Sequence, residues 1–152
     1  KMPEEDTIAY NLIMRNLRAG NLELPNPQSD SGFITLEILE SNIKDNLKYE
    51  NGKFKLIKNL ELNVSLAESQ GQFVVDNEVL NYVTKNSEAY INEYTKYIFN
   101  KYKEKDLDLF DIERMAEIYY PNSEVANPLK YTDIEVNTRV NIKGTGVTRN
   151  SL

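Results

Sequence analysis

From Phe54 to Leu66 the apolar residues fall on alternate positions. Phe54, Leu56, Leu60, Leu62, Val64 and Leu66 share one parity, and Lys55, Asn59, Glu61, Asn63 and Ser65 share the other, broken by Ile57. That period describes a long strand with one buried and one wet face. Lys58 is the one charged residue on the apolar side. Just before the run stands Asn51-Gly52, the strongest short-range signal for a tight hairpin. The rest of the chain must supply partner strands, or helices that cover the apolar face.

The partners can be read in order. Residues 5–18 predict a helix with Ile8, Leu12, Ile13 and Leu17 as its stripe, Asp6 near its start and Gly20 to stop it. Asn21–Leu24 predicts a short strand closed by Pro25-Asn26-Pro27, because proline removes a ladder donor. Gln28–Gly32 reads as a turn. Phe33–Leu39 predicts a second strand, with Ile34, Leu36 and Ile38 on one side and Phe33, Thr35, Glu37 and Leu39 on the other. It continues, with room for a bulge, through Ile43, Leu47 and Tyr49 to the turn.

Beyond the main strand, which is expected to end at residues 67–71, residues 76–104 predict the longest helix. Its expected stripe is Val79, Leu80, Val83, Tyr90, Ile91, Tyr94, Tyr97, Ile98 and Tyr102, with Asp76 as its cap. Its tyrosines read first as a core edge, ring buried and hydroxyl at the rim. Asp108–Tyr120 predicts a shorter helix carrying Leu109, Ile112, Met115, Ala116 and Tyr119, with Asp108 as cap, Asp111 in the capping-box position and Pro121 as the stop. After a loop at 122–130 comes a last strand in which Ile134, Val136, Thr138, Val140 and Ile142 alternate with polar residues. The expected fold is therefore α+β, a mostly antiparallel sheet of about four strands with helices packed on one face, in a single domain.

The chemistry is sparse. The chain has 152 residues, 18 Lys plus Arg against 24 Asp plus Glu, no Cys and no His. A disulfide framework, a thiolate zinc site and a histidine base are excluded. A net charge of −6 is a poor basis for nucleic-acid binding. No apolar run is long enough to span a bilayer, and Lys1-Met2-Pro3 reads as the edge of a longer protein. Gly144-Thr145-Gly146 lacks the lysine and helix of a phosphate loop. Asp106, Asp108, Asp111 and Glu113 lack the glycine-centred loop of a calcium site and read as a cap with solvated acids. Asn63-Val64-Ser65 matches a glycosylation sequon but lies inside the main strand. Asp30, Asp45 and Asp133 have ordinary turn or edge readings. Lys44, Lys48, Lys53, Lys55 and Lys58 gather positive charge around the hairpin, either a solvated edge that discourages edge pairing or a contact for anionic headgroups or an acidic partner. No cofactor or metal is expected.

Four segments together resemble the C-terminal domain of the C-subunit lipoproteins of bacterial spore germinant receptors. They are Leu17–Leu24 followed by Gly32–Ile38, then Asn63–Glu68, then Asp108-Leu109-Phe110 through Tyr119-Tyr120-Pro121, and last the final strand running into Thr145-Gly146. The chain departs from the family where glycines commonly follow the Asp-x-Phe, here Asp111 and Glu113, and where tryptophans commonly follow the Tyr-Pro, here absent. The resemblance implies a longer, exported protein tethered to the spore inner membrane by a lipidated (palmitoylated) cysteine outside this sequence. It implies integral membrane A and B subunits as partners, in a complex that senses nutrients, and no enzymatic role.

The reading that follows is a non-enzymatic accessory domain acting in germination through protein contacts, monomeric in isolation. Two other readings stand beside it: a generic cell-envelope lipoprotein module that binds a peptide, glycan or envelope protein, and an acid-only hydrolase using a carboxylate pair such as Glu61 and Glu68. Parity puts Lys55, Asn59, Glu61, Arg139 and Asn141 on the wet face, and they are the expected protein-contact surface.

Overall fold

The computed structural model describes residues 2–3, 10, 11, 13, 14, 20–25, 32–69 and 76–145. The expected first helix (5–18) lies outside them, apart from Tyr10, Asn11, Ile13 and Met14, which are helical. Most of the expected turn at 28–32, residues 70–71 and the tail from 146 also lie outside the described residues.

The elements are β1 (Asn21–Pro25), β2 (Phe33–Glu50), β3 (Lys53–Ser69), α1 (Asn77–Lys103), α2 (Ile112–Tyr119), a 3-10 turn (Pro128–Tyr131) and β4 (Thr132–Thr145). They form a four-stranded sheet in the order β1-β2-β3-β4. β1 pairs antiparallel with β2, Leu22 opposite Leu36 and Leu24 opposite Ile34. β2 and β3 form the hairpin. Asn51 and Gly52 take positive φ of 51° and 80°, which makes the two-residue loop whose twist matches its strands. Contacts between β3 and β4 ascend together along both strands, Lys55 to Glu135 and Asn59 to Asn137, then Asn63 to Asn141 and Ser65 to Gly144. β4 is therefore parallel to β3. A parallel neighbour needs a long crossover, and α1 and α2 supply it. The sheet is mixed but mostly antiparallel, and the fold is α+β as expected.

The chain divides into two compact units, and the three long strands and α1 contribute to both. The first holds Ile43–Leu60 and Asn92–Asn137 with the described residues near the N-terminus. Its core joins Leu47, Phe54, Leu56 and Val136 to Ile98, Phe99, Tyr102, Phe110, Ile112 and Ala116, all buried. Tyr49, Phe54 and Tyr120 pack ring on ring, with centroids 4.8 Å apart for Tyr49 and Phe54 and 6.1 Å for Phe54 and Tyr120. The second unit holds the described residues of Arg15–Asn42 with Glu61–Ile91 and Thr138–Thr145. Its core gathers Leu36, Ile38, Leu62, Val64, Leu66, Val83, Ile91 and Val140.

Parity predicts the inner face of β3 and β4 well. Leu60, Leu62 and Val140 are no more than 3% exposed. In β2 the buried parity changes, from Ile34, Leu36 and Ile38 to Ser41 and Leu47. One extra residue in a strand produces that phase shift, as a bulge does.

Four expectations need correction. Tyr90 and Tyr97 of the predicted stripe are 44% and 53% exposed. The stripe that α1 buries runs Val83, Ser87, Ile91, Thr95, Ile98 and Tyr102. Small hydroxyl residues can lie there because a helix offers them its own carbonyls, as Ser87 Oγ donates to Val83 O at 2.6 Å. Second, α2 begins at Ile112, not Asp108, and Asp111 takes the left-handed conformation and caps nothing with its side chain. Third, Tyr119 is 65% exposed, while Tyr120, where the chain leaves the helix, turns inward and donates its hydroxyl to Leu47 O. Fourth, part of the expected loop at 122–130 is the start of the 3-10 turn.

Candidate functional site

The outer face of the sheet carries the polar residues singled out from parity. In the first unit, Lys55 Nζ lies 3.2 Å from Glu135 Oε1. Asn137 Nδ2 donates to both Glu135 Oε2 and Asn59 Oδ1, each at 3.1 Å. Hydrogen bonds from Asn137 and then Lys55 hold the Glu135 carboxyl below its ordinary range. Lys55 and Asn59 are thus members of one cross-strand network. In the second unit, Asn141 Nδ2 donates to Asn63 Oδ1 at 3.1 Å and to Glu61 Oε2 at 3.5 Å. Arg139 is exposed. These pairs link neighbouring strands by side chain as well as backbone.

The inner face holds what parity only hinted at. Lys58 has a fully buried side chain. Its Nζ donates to both oxygens of Asp45, at 2.8 and 3.0 Å, and stands 5.3 Å from the centre of the Phe110 ring. Burial lowers the ammonium's pKa, and the charge and hydrogen bond of Asp45 oppose that shift. Grouping Lys58 with the solvated lysines of the hairpin is therefore wrong. Its place on the apolar parity was the usable signal, and counting back from the two-residue turn sets Asp45 opposite it.

The outward groups of β4 are met from α1. Glu88 Oε2 accepts from Val140 N at 2.9 Å in the second unit, and Lys103 Nζ donates to Thr132 O at 2.7 Å in the first. No periodicity announces these two half-buried side chains, because each is one polar residue among several along its helix. Two of the other acids have structural employment. Asp108 accepts from the backbone N–H of Ile112 and Glu113, and Glu61 belongs to the asparagine network. The side chain of Glu68 lies outside the described residues. Among the described residues no group of three or more Asp or Glu is placed to hold a metal ion. Among them, no helix is long and apolar enough to cross a membrane. The arrangement can offer hydrogen bonds and charge to a docking surface.

Comparison with known proteins places this geometry. No curated protein sequence matches the chain. A solved structure described as the crystal structure of the GerBC protein shares the fold, with a TM-score of 0.76 at 17% identity. The match covers 93% of this chain and 46% of that one, so the chain spans less than half the length of its structural relative. Residues 1–146 match the family described as Spore germination B3/GerAC like, C-terminal. The resemblance carried by the four segments and the match along nearly the whole chain agree, and the chain belongs to that C-terminal family.

Proposed function

We propose that this chain is the C-terminal domain of a germinant-receptor C subunit, a single domain of a longer lipoprotein that works without catalysis. In this reading a lipid-modified cysteine elsewhere in the protein holds it at the spore inner membrane. The domain docks against the integral membrane A and B subunits of the receptor, and its outer sheet face is the contact surface. The observation that carries the reading is the family match over residues 1–146. Composition supports the non-enzymatic part, since a chain without histidine lacks the commonest base near neutral pH and one without cysteine lacks a thiolate nucleophile. The pre-tied outer face supports the docking part, because side chains already held by neighbours lose little freedom on binding.

The test is copurification of the tethered full-length protein with its membrane neighbours, as wild type and with Arg139→Ala plus Asn141→Ala. Recovery of the A and B subunits with the wild type and loss with the variant is the expected result. Recovery of neither subunit with the wild type would sink the proposal. Deleting the gene should abolish the response to the nutrient that its receptor senses.

A further inference from the structure

Charge is unevenly spread along this chain. Between Ile43 and Leu60 five lysines accompany two acids, a net of +3, whereas the whole chain carries −6 and its remainder therefore −9. The fold sorts these charges further. Lys58 and Asp45 neutralise each other on the inner face. Lys44, Lys48, Lys53 and Lys55 are all exposed. Counting from the Asn51-Gly52 turn, Lys48 lies opposite Lys55, a like-charge pair that costs a sheet stability. Lys55 is answered by Glu135 across β4, and Lys48 is close enough to help hold that carboxylate ionised.

We propose that the hairpin end of the sheet docks on an anionic lipid surface through Lys44, Lys48, Lys53 and Lys55. Charge complementarity selects the class of partner, and the side chains select the source. All four cations are lysines, compact point charges on flexible stems that suit a field of mobile headgroups. A fixed carboxylate or phosphate favours the fork of arginine, which this end lacks. The aromatic rings here, Tyr49 and Phe54, stack on each other and on Tyr120 at the inner face, so they are not a platform for bases.

The inference deepens the proposed function and takes from it only the nearness of a membrane. It is tested with the 152-residue chain and vesicles of phosphatidylcholine, with and without phosphatidylglycerol. Cosedimentation should require phosphatidylglycerol and fade as salt rises. At about five-fold in partitioning per lysine, Lys48→Gln with Lys55→Gln should weaken it about 25-fold. Lys85→Gln with Lys96→Gln, on α1, should leave it unchanged. Circular dichroism of each variant checks the fold. Absence of binding, binding indifferent to the hairpin lysines, or capture by polyglutamate without vesicle binding would each overturn the proposal. If vesicles fail while the full-length protein still copurifies with its membrane subunits, the lipid contact falls and the receptor reading stands.

Discussion

Lys58 shows how much one residue on the wrong parity can say. A lysine on the greasy face of a strand must find a partner or give up its proton. Here it keeps a two-oxygen bond to Asp45 and a ring beneath it. Removing one member should hurt more than removing both, because a buried charge without its partner is the costly state. Asp45→Ala is expected to cost roughly 2–3 kcal/mol in urea unfolding, less than for a fully buried pair because Asp45 keeps contact with water. Asp45→Asn with Lys58→Met should lie much closer to wild type. The sign of the pH effect also follows. The folded-state pKa of Lys58 lies below the ordinary 10.5, so in the window just under 10.5 the folded chain binds fewer protons than the unfolded one. Stability at this site therefore rises with pH through that window, and Lys58→Met should abolish the rise. Glu135 behaves in the same sense at acid pH, because its pKa is lowered too. Its lowered carboxyl contributes stability above its unfolded pKa, and that contribution is lost as pH falls through the folded one. Asn137→Ala should move the Glu135 titration midpoint upward by NMR.

At the scale of elements, the strands were legible because a half-buried strand must alternate. The hairpin was legible because its turn needs two residues with positive φ, which Asn51-Gly52 accepts. Gly52→Val should cost at least about 1 kcal/mol in thermal unfolding, since a β-branched residue resists that conformation. The phase change in β2 was less legible. Ser41 is buried where parity alone leaves a gap, and Asn42, Lys44 and Asn46 hide the rhythm on either side of Ile43. The start of α2 at Ile112 is hidden in the sequence for a related reason. Asp108 does accept helix N–H groups, from Ile112 and Glu113, but it reaches them across a turn that ends in the left-handed Asp111. Spacing rules assume a cap adjacent to its helix. Asp108→Ala should still cost about 1 kcal/mol, and Asp111→Ala should cost more than Asp111→Gly, because only glycine is at ease at φ 58°. The outer-face residues were legible as a set by parity, yet their pairing was not, because it depends on β4 running parallel to β3.

For the molecule as a whole, loss of fold and loss of partner must be told apart, and the two faces of the sheet allow it. Leu62 is fully buried between Leu60 and Val64 on β3. Leu62→Asp would place an unpaired charge there, at a cost of several kcal/mol against a total stability of about 5–15. In cells a loss of that size is expected to lower abundance, because unfolded protein is cleared. Arg139 projects from the exposed parity of β4, and its replacement leaves the core untouched. Arg139→Ala should keep normal abundance and unfolding temperature, to within about 0.5 kcal/mol, while reducing recovery of the membrane subunits. Immunoblots of spores alongside copurification separate the two outcomes. If Leu62→Asp spores kept normal levels of the protein, the inner face would not be the core. If Arg139→Ala copurified its partners as well as wild type does, the contact surface would lie elsewhere.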